Sequence, residues 1–361
     1  MRIEWVEVRD FRNHRELALE FGPGLTAVAG PNARGKTNLL EAVCYLCSLV
    51  SPRVSSDLPL VRSGAQSGFL RGKVESGRGR FLIEVEVRSG GQNKVLVNRT
   101  AVRRKRDLRR DVRAVFSGPD DLSIVQGDPA ERRRFMDEGV RALWPAKDGV
   151  APAYERALRQ RNRLLKDWGG PGEPEGLKAW DAELVAHGSA LTGLRGMAVD
   201  AIRRRAGEEF RGIAGAEEGT LLVEYAPSVQ GERLDLAFLD RLAERRADEL
   251  VRRTTLVGPH RDDLALSVQG LVARGFASHG EAWAGAICLR LALSGAVAEE
   301  LGESPILLLD DPFSGLDPER RQRLSRTLGG RGQVLMAVPD ESHVPAGASV
   351  WLANEGGIVP G

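Results

Sequence analysis

Residues 30–37 constrain the fold of this chain more than any other segment. They are Gly-Pro-Asn-Ala-Arg-Gly-Lys-Thr and fit the G-x-x-x-x-G-K-[ST] pattern without deviation. An apolar run at residues 25–29 precedes them and helical periodicity at residues 37–49 follows, which predicts a strand, a loop and a helix. Two glycines let such a loop curl so that successive N–H groups face a phosphate at the helix N-terminus. The pattern therefore predicts a phosphate-binding loop, and the alternative is an ordinary glycine-rich turn.

The predicted ligand of this loop is ATP with Mg²⁺. Lys36 is expected to reach the β- and γ-phosphates, and Thr37 to hold the metal ion. The chain contains 45 arginines and 7 lysines, so a lysine at position 36 departs from its general preference. Nucleotide contacts are predicted for the loop and the residue after it: Gly30, Pro31, Asn32, Ala33, Arg34, Gly35, Lys36, Thr37 and Asn38.

A second acidic element lies about 270 residues downstream, where four apolar residues at 306–309 precede Asp310 and Asp311. In folds with a phosphate-binding loop, an aspartate at a strand end binds Mg²⁺ and a neighbouring carboxylate can polarise the attacking water. We predict Asp310 as the metal ligand and Asp311 as the catalytic base. The alternative is a buried strand followed by a charged turn.

The long separation of the two elements favours a head of the ABC/SMC type, in which two heads enclose ATP between them. Such heads present a signature loop to the nucleotide of the partner. Ser278 and Gly280, just before a predicted helix, are the candidates for this contact in trans, and Asp317 falls in the candidate D-loop. The alternative for Ser278 is a helix N-cap with Glu281 three residues later. Both roles are compatible with one side chain.

The chain is predicted to be an α/β protein with a mixed β-sheet and helices. Strand patterns occur at residues 1–21 and 69–97 and resume from residue 256, whereas long charged helical patterns dominate between them. We therefore predict a head at residues 1–117 and 254–361, split by an inserted, mainly helical arm at residues 118–253.

Four stretches resemble the RecF family, bacterial recombination and repair ATPases related to SMC proteins: residues 8–14, 128–137, 258–264, and 278–281 followed by 308–317. The resemblance spans essentially the full chain. By position, it implies that Arg12 and Asn13 approach the nucleotide and that Gln126 senses Mg²⁺ and the γ-phosphate. Gln126 has a plain alternative as polar surface.

The resemblance also implies a function. Members of the family are DNA-binding, weakly hydrolysing, DNA-stimulated ATPases that form homodimers on ATP. They act in DNA repair, recombination, replication and the SOS response at gapped DNA or single-strand/double-strand junctions, with RecR and RecO, and help to load RecA. The alternatives are an ABC-type ATPase of a transport complex and a non-hydrolysing ATP-dependent scaffold. The switch histidine of transport-type ABC proteins has no counterpart in residues 333–338, which fits slow hydrolysis.

The net charge of +2 does not by itself indicate a nucleic-acid-binding protein, so any DNA site must depend on local clusters. The densest basic cluster supplies our candidate DNA contacts, without sequence specificity: Arg103, Arg104, Lys105, Arg106, Arg109 and Arg110. Further arginines, at positions 132–134, 159, 161, 163 and 203–205, extend a possible basic surface over the arm. The alternative is a set of solvated helix faces with local ion pairs.

Three cysteines and the absence of a signal-peptide pattern at residues 1–10 predict a cytoplasmic, bacterial protein with no disulfide framework. No apolar run approaches 18 residues, so no membrane partner is expected. Cys44 and Cys47 are interpreted as buried small residues rather than a metal or redox pair.

Overall fold

Two six-stranded sheets and one three-stranded sheet form the framework of the described chain, residues 1–215 and 219–361, in a computed structural model. In chain order the strands are Arg2–Phe11 (β1), His14–Glu20 (β2), Leu25–Ala29 (β3), Ser67–Ser76 (β4), Gly79–Arg88 (β5), Lys94–Val97 (β6), Thr100–Ala101 (β7), Ala114–Ser117 (β8), Leu221–Ala226 (β9), Asp263–Val268 (β10), Leu271–Val272 (β11), Ile306–Asp310 (β12), Val334–Val338 (β13), Ser349–Asn354 (β14) and Gly357–Pro360 (β15). The α-helices are Lys36–Ser48 (α1), Lys105–Asp111 (α2), Leu122–Gln126 (α3), Pro129–Leu143 (α4), Val150–Asp167 (α5), Leu177–Ala214 (α6), Leu234–Arg252 (α7), Ala273–Phe276 (α8), His279–Leu301 (α9) and Pro318–Leu328 (α10).

The mixed sheet has the order β15-β14-β3-β13-β12-β8, and only the edge strand β15 runs antiparallel. Every residue of β12 and β13 is buried, as expected for parallel strands covered on both faces. Asp310 pairs with Ala337, and Val28 pairs with Ala337 from the other side. The carboxyl ends of β3 and β12 therefore meet at one edge of the sheet, one strand apart.

An antiparallel sheet of order β2-β1-β4-β5-β6-β7 lies on one side of the mixed sheet, with α1 between them. The core there joins α1 to both sheets, through residues such as Leu39, Tyr45, Val85 and Leu308. The predicted fold class, an α/β head with a mixed sheet, is confirmed.

The inserted region contains the long helices that the sequence predicts, now bounded as α4, α5, α6 and α7. It also contributes β9, a strand that we did not predict, which pairs antiparallel with β10. One continuous hydrophobic core includes Phe135 and Phe210 of the insertion together with Leu289 and Leu309 of the head. A separate cluster around Tyr154, Leu184 and Phe238 lies within the insertion and reaches Val257. The predicted boundaries at residues 118 and 254 thus do not coincide with a break in the core.

Helix α9 is long and apolar enough, by length and composition, to cross a membrane, and it is the one such helix among the described residues. Of the relevant window, 83% is buried inside the fold. Its side chains pack in the core against α6 and the mixed sheet. Burial to this extent is typical of a core helix, so α9 is interpreted as part of the core of the fold.

Candidate nucleotide-binding site

Gly30 and Gly35 have the backbone angles and the close contacts that only glycine tolerates. Their φ values are 151° and 90°. A Cβ on Gly30 would lie 2.2 Å from the carbonyl oxygen of Ala353, and one on Gly35 would lie 2.6 Å from Cε1 of His14. The pattern of two glycines therefore follows from the shape of the loop, which turns sharply between β3 and α1.

Lys36 is the first residue of α1, and its side chain folds back over the loop. Its ammonium donates to the carbonyl oxygens of Gly30 and Pro31, the second at 2.8 Å. Burial lowers the pKa of Lys36, while the negative charges of Asp310 and Asp311 oppose that effect. The loop thus holds a flexible cationic donor beside the place where phosphates bind in loops of this type.

Thr37 and Asp310 are in direct contact. The hydroxyl of Thr37 donates to Oδ1 of Asp310 over 2.8 Å, although the two residues are 273 positions apart. Burial raises the pKa of Asp310, and the Thr37 hydrogen bond and the charge of Arg53 act against this. A hydroxyl and a carboxylate are oxygen donors that suit Mg²⁺, which commonly takes its other ligands from phosphates and water. The described residues contain no cluster of three or more His, Cys, Asp or Glu side chains able to hold a metal alone.

Asp311 follows the strand in a left-handed backbone conformation, with φ of 49°. Burial raises the pKa of its carboxyl, and the charges of His343, Lys36 and Arg321 lower it in part. His343, which the sequence did not single out, belongs to the turn after β13. Its Nε2 lies 3.0 Å from Arg321 and its Nδ1 lies 3.0 Å from Asp340. Strand β13 itself contains no histidine, and His343 in the turn after it is the histidine nearest in sequence to the end of that strand.

Glu41, a buried carboxylate on α1, binds the basic residues beside the cleft that the phosphate loop and the strand-end aspartates line. Arg12 donates to it through two nitrogens, both at 2.7 Å, and Ser51 and Arg53 bond to it as well. Arg12 has a positive φ of 54°. Its guanidinium is thus committed to Glu41 and to Pro59.

The cleft has a volume of about 520 Å³, within the range of small-molecule sites. Asn13 and Asn38 face it and are joined by a 2.7 Å hydrogen bond. Sequence reasoning missed Arg53, which comes from the irregular segment after α1. The described residues that line the cleft are Asn13, Asn32, Ala33, Gly35, Lys36, Thr37, Asn38, Arg53, Pro119, Asp310, Asp311, Ala337, Val338 and Pro339.

Ser278, Gly280 and Asp317 lie outside that lining. Ser278 caps α9: its hydroxyl accepts from the Glu281 N–H at 3.2 Å, and Glu281 accepts from the Ser278 N–H at 2.7 Å. Asp317 caps α10 by accepting from the N–H groups of Glu319 and Arg320, each at 3.0 Å. The two capped helix ends lie close together. A Cβ built on Gly280, near the start of α9, would lie 3.2 Å from the carbonyl oxygen of Gly315, just before α10. Their contact with a nucleotide stays a prediction.

Gln126 is the last residue of α3, is exposed, and is not part of the cleft lining. Pro119, a few residues earlier, is the part of that segment that reaches the cleft. The structure therefore does not bring Gln126 beside Thr37 and Asp310, and its role as a metal sensor stays a prediction.

The basic cluster before β8 divides into two groups. Arg109 is 4% exposed and donates to Asp148 and to the Ser48 carbonyl, and the Lys105 ammonium donates to the Leu49 carbonyl. Both residues tie α2 to the end of α1. The assignment of the buried Arg109 as a DNA contact needs correction, whereas Lys105 is exposed and its contact with DNA stays a prediction. Arg103, Arg104 and Arg110 are exposed and Arg106 is half-buried.

Two arginines of the expected basic arm surface are also internal. Arg161 is fully buried and bonds to Asp181, Glu249 and Thr255. Arg132 is 5% exposed and forms two hydrogen bonds with Asp263. The prediction that they face solvent is wrong, because acidic partners distant in sequence cover them.

Residues 258–264 form a structural junction. Asp262 is completely buried and accepts from Arg195, from the Tyr225 hydroxyl and from the Ser228 N–H. Nδ1 of His260 lies 2.6 Å from the Tyr154 hydroxyl. The motif thus joins α5, α6 and β9 to β10, and its acidic residues are not part of the nucleotide cleft.

Known proteins match the chain over nearly its whole length. The family model described as the RecF/RecN/SMC N terminal domain matches residues 2–345. A DNA replication and repair protein RecF from Streptomyces avermitilis is 40% identical over 357 residues, which cover 96% of this chain and 95% of the relative. A RecF protein of Frankia alni is also 40% identical, over 96% of this chain and 95% of the relative.

Among solved structures, the recombination mediator protein RecF of the RecFOR pathway superposes with a TM-score of 0.88 in its ATP form, at 26% identity, over 99% of this chain and 97% of that one. A second RecF structure, described as RecF-ATPrS, gives 0.89 at 27% identity, over 99% and 98%. An SMC head bound to the C-terminal winged-helix domain of ScpA gives 0.58 at 15% identity, over 99% and 96%, and shares the fold.

Proposed function

Because the chain belongs to the RecF family of DNA replication and repair proteins, with an ATPase fold of the SMC/ABC type, we propose that it is an ATP-switched DNA clamp. ATP and Mg²⁺ bind in the cleft, two copies close around the nucleotides on gapped or junction DNA, and slow hydrolysis reopens them. RecR and RecO are the proposed partners, and RecA loading is the proposed outcome. The proposed location is the bacterial cytoplasm.

The contact between Thr37 and Asp310 is the observation that carries this proposal. A glycine-rich turn with no function would not need a hydroxyl and a buried carboxylate from opposite ends of the chain at 2.8 Å. With Lys36 and Asp311 beside them, the cleft offers an ammonium group that can bind phosphate, two oxygen ligands for Mg²⁺ and a carboxylate for water activation. These are the parts that ATP hydrolysis requires.

The composite-site part of the proposal is supported by where Ser278 lies. Ser278, Gly280 and Asp317 are grouped at two helix N-termini away from the cleft of their own copy. Helix N-termini attract phosphate, so a second copy can complete the site. Three exposed apolar side chains, Leu271, Val272 and Phe276, precede Ser278 and are available for burial against a second copy.

Sedimentation velocity tests the dimer. Wild-type protein with Mg²⁺ and ATP is expected to sediment as a dimer, and as a monomer with ADP. Ser278→Arg is expected to abolish the dimer while ATP binding persists, and Lys36→Arg to weaken binding itself. Ser63→Arg, at an exposed position, is the control. A wild-type protein that stays monomeric on ATP contradicts the clamp.

ATPase assays with and without DNA separate the remaining alternatives. The clamp predicts slow turnover that DNA stimulates. A turnover above about 10 s⁻¹, the median for enzymes, would argue for a motor or transport ATPase instead. A turnover of zero, with an ATP-dependent dimer, would support the non-hydrolysing scaffold.

The DNA surface is proposed at Arg103, Arg104, Arg106 and Arg110. Reversing the charge of Arg103, Arg104 and Arg106 together is expected to weaken duplex binding and flatten its salt dependence. The reason is that a protein with fewer phosphate contacts releases fewer counterions from the DNA when it binds. The matched control reverses Arg233, just before α7, and Arg241 and Arg245 on that helix, each of which already pairs with a neighbouring carboxylate. Equal losses in both variants would remove this assignment.

A further inference from the structure

A second cavity lies at the opposite end of α1 from the phosphate loop. Its volume is about 420 Å³, and its walls come from the end of α1, the segment after it, the α2–β8 turn and α4. Arg53 is the one residue that lines both this cavity and the nucleotide cleft, among the described residues. The cavity is within the size range of small-molecule sites.

The cavity is lined by more cationic than anionic groups. Arg109 and Arg141 share one carboxylate, Asp148, at 2.7 and 3.1 Å. Glu138, the one acidic residue among the described residues that line the cavity, lies 2.8 Å from Arg290. The local carboxylates are therefore already engaged, and positive charge is left over.

Arg113 is the clearest sign of a missing anion. Its side chain is 7% exposed, its Nε donates to the Ala142 carbonyl at 3.0 Å, and its Nη1 is buried without a hydrogen-bond partner among the described residues. Burial is the main cause that lowers the pKa of Arg113 to about 10; the charges of Arg78 and Arg109 add to this effect, and those of Asp111 and Glu300 oppose it. A buried guanidinium nitrogen without a hydrogen-bond partner is costly to fold, and a bound anion would remove that cost.

Part of the lining is apolar. Val112 and Phe116 are buried, and Val54 is half-buried beside them. The neighbouring thiol of Cys44 is neutral, since burial raises its pKa to about 12. A ligand that fills this cavity must combine an anionic group with an apolar body.

We propose that the cavity binds a phosphate monoester that carries an apolar or aromatic body. Guanidinium groups match phosphate geometry, so the phosphate lies between Arg109, Arg113 and Arg141 while the body packs on Val112 and Phe116. A small phosphorylated metabolite and the terminal phosphate of a nucleic-acid strand both present this chemistry. Since both α1 and α4 contribute to the lining, the ligand joins the nucleotide-binding helix to the inserted region.

Calorimetric titration with phenyl phosphate tests the site. Lys36→Ala serves as the background, so that phosphate binding by the loop does not contribute. We expect one site, and about tenfold weaker binding when Arg113→Gln or Arg141→Gln is added, the loss typical of one charge-assisted hydrogen bond. Arg156→Gln, at an exposed position of α5 outside the cavity lining, is the control, and melting temperatures verify that each variant folds.

Further probes test whether the apolar body of the ligand contributes to binding and identify the source of its phosphate. Inorganic phosphate is expected to bind more weakly than phenyl phosphate, and phenol not to bind. Competition by a terminally phosphorylated oligonucleotide, but not by its unphosphorylated form, assigns the site to a strand end; no competition assigns it to a small molecule. Absence of phenyl phosphate binding at millimolar concentration, or binding that neither arginine substitution weakens, overturns the proposal.

Discussion

At the scale of single residues, Asp310 and Asp311 are neighbours with different surroundings. Asp310 is bonded to Thr37, whereas Asp311 has a left-handed backbone and no hydroxyl partner in the described hydrogen bonds. We therefore expect Asp311→Asn to retain Mg²⁺-dependent ATP binding and to lose hydrolysis by roughly a hundredfold or more, the usual contribution of a general base. Single-turnover hydrolysis and nucleotide titration measure the two effects separately.

Asp310→Asn is the matched control for that substitution. It removes a metal ligand rather than a base, so it should weaken the binding of ATP in the presence of Mg²⁺ more than in its absence. If both variants lost binding and hydrolysis to the same degree, the division of roles between the two carboxylates would be wrong.

At the scale of elements, Arg161 joins three helices. It lies on α5, donates to Asp181 of α6 and Glu249 of α7, and is completely buried with Glu249. Arg161→Met is expected to lower the free energy of unfolding by about 3 kcal/mol, because it leaves buried carboxylates without their cation. Urea denaturation measures this. Arg159→Met, two residues away at an exposed pair with Glu155, should change stability little.

The same elements indicate what the sequence can predict. Strands β3 and β12, helix α1 and the long helices of the insertion have strong local periodicity, so their types were predicted correctly. Strand β9 was missed because six residues with one short alternation stand between helical stretches. The burial of Arg161 depends on partners 20 and 88 positions away, and no local pattern reveals such contacts.

The candidate site also contains residues that the sequence could predict and residues that it could not. The phosphate loop and the strand-end aspartates are contiguous motifs, and the sequence named them. Arg53 and His343 come from irregular segments after α1 and β13, where no periodicity fixes the direction of a side chain. Gln126 was placed by resemblance, and the end of α3 points elsewhere.

At the scale of the whole molecule, stability should fall in mild acid. Burial lowers the pKa of His260 from 6.5 to about 4, and burial also lowers the pKa of His14. The unfolded chain thus binds protons more readily below pH 6.5 than the folded protein does, so the free energy of unfolding is highest above 6.5 and falls as the pH drops towards 4. His260 accounts for at most about 3 kcal/mol of that loss. Urea denaturation across this pH range measures it; His260→Gln should lose less stability, and His187→Gln, at a half-buried position of α6, should behave like wild type.

In the proposed clamp, the dimer buries the exposed apolar side chains that precede Ser278, namely Leu271, Val272 and Phe276. Phe276 is 69% exposed, Val272 is 61% exposed, and Val272 shares a row of the three-stranded sheet with Leu222, which is 48% exposed. Phe276→Ser should weaken the ATP-dependent dimer by roughly tenfold, because burying such a side chain contributes about 1.5 to 3 kcal/mol. ATP binding by the monomer should not change, since Phe276 is outside the cleft. Val251→Ser, 84% exposed on α7, is the control in the same sedimentation series. If the wild-type protein dimerised on ATP and Phe276→Ser dimerised equally well, these apolar side chains would lie outside the interface. The composite site at Ser278 would still stand.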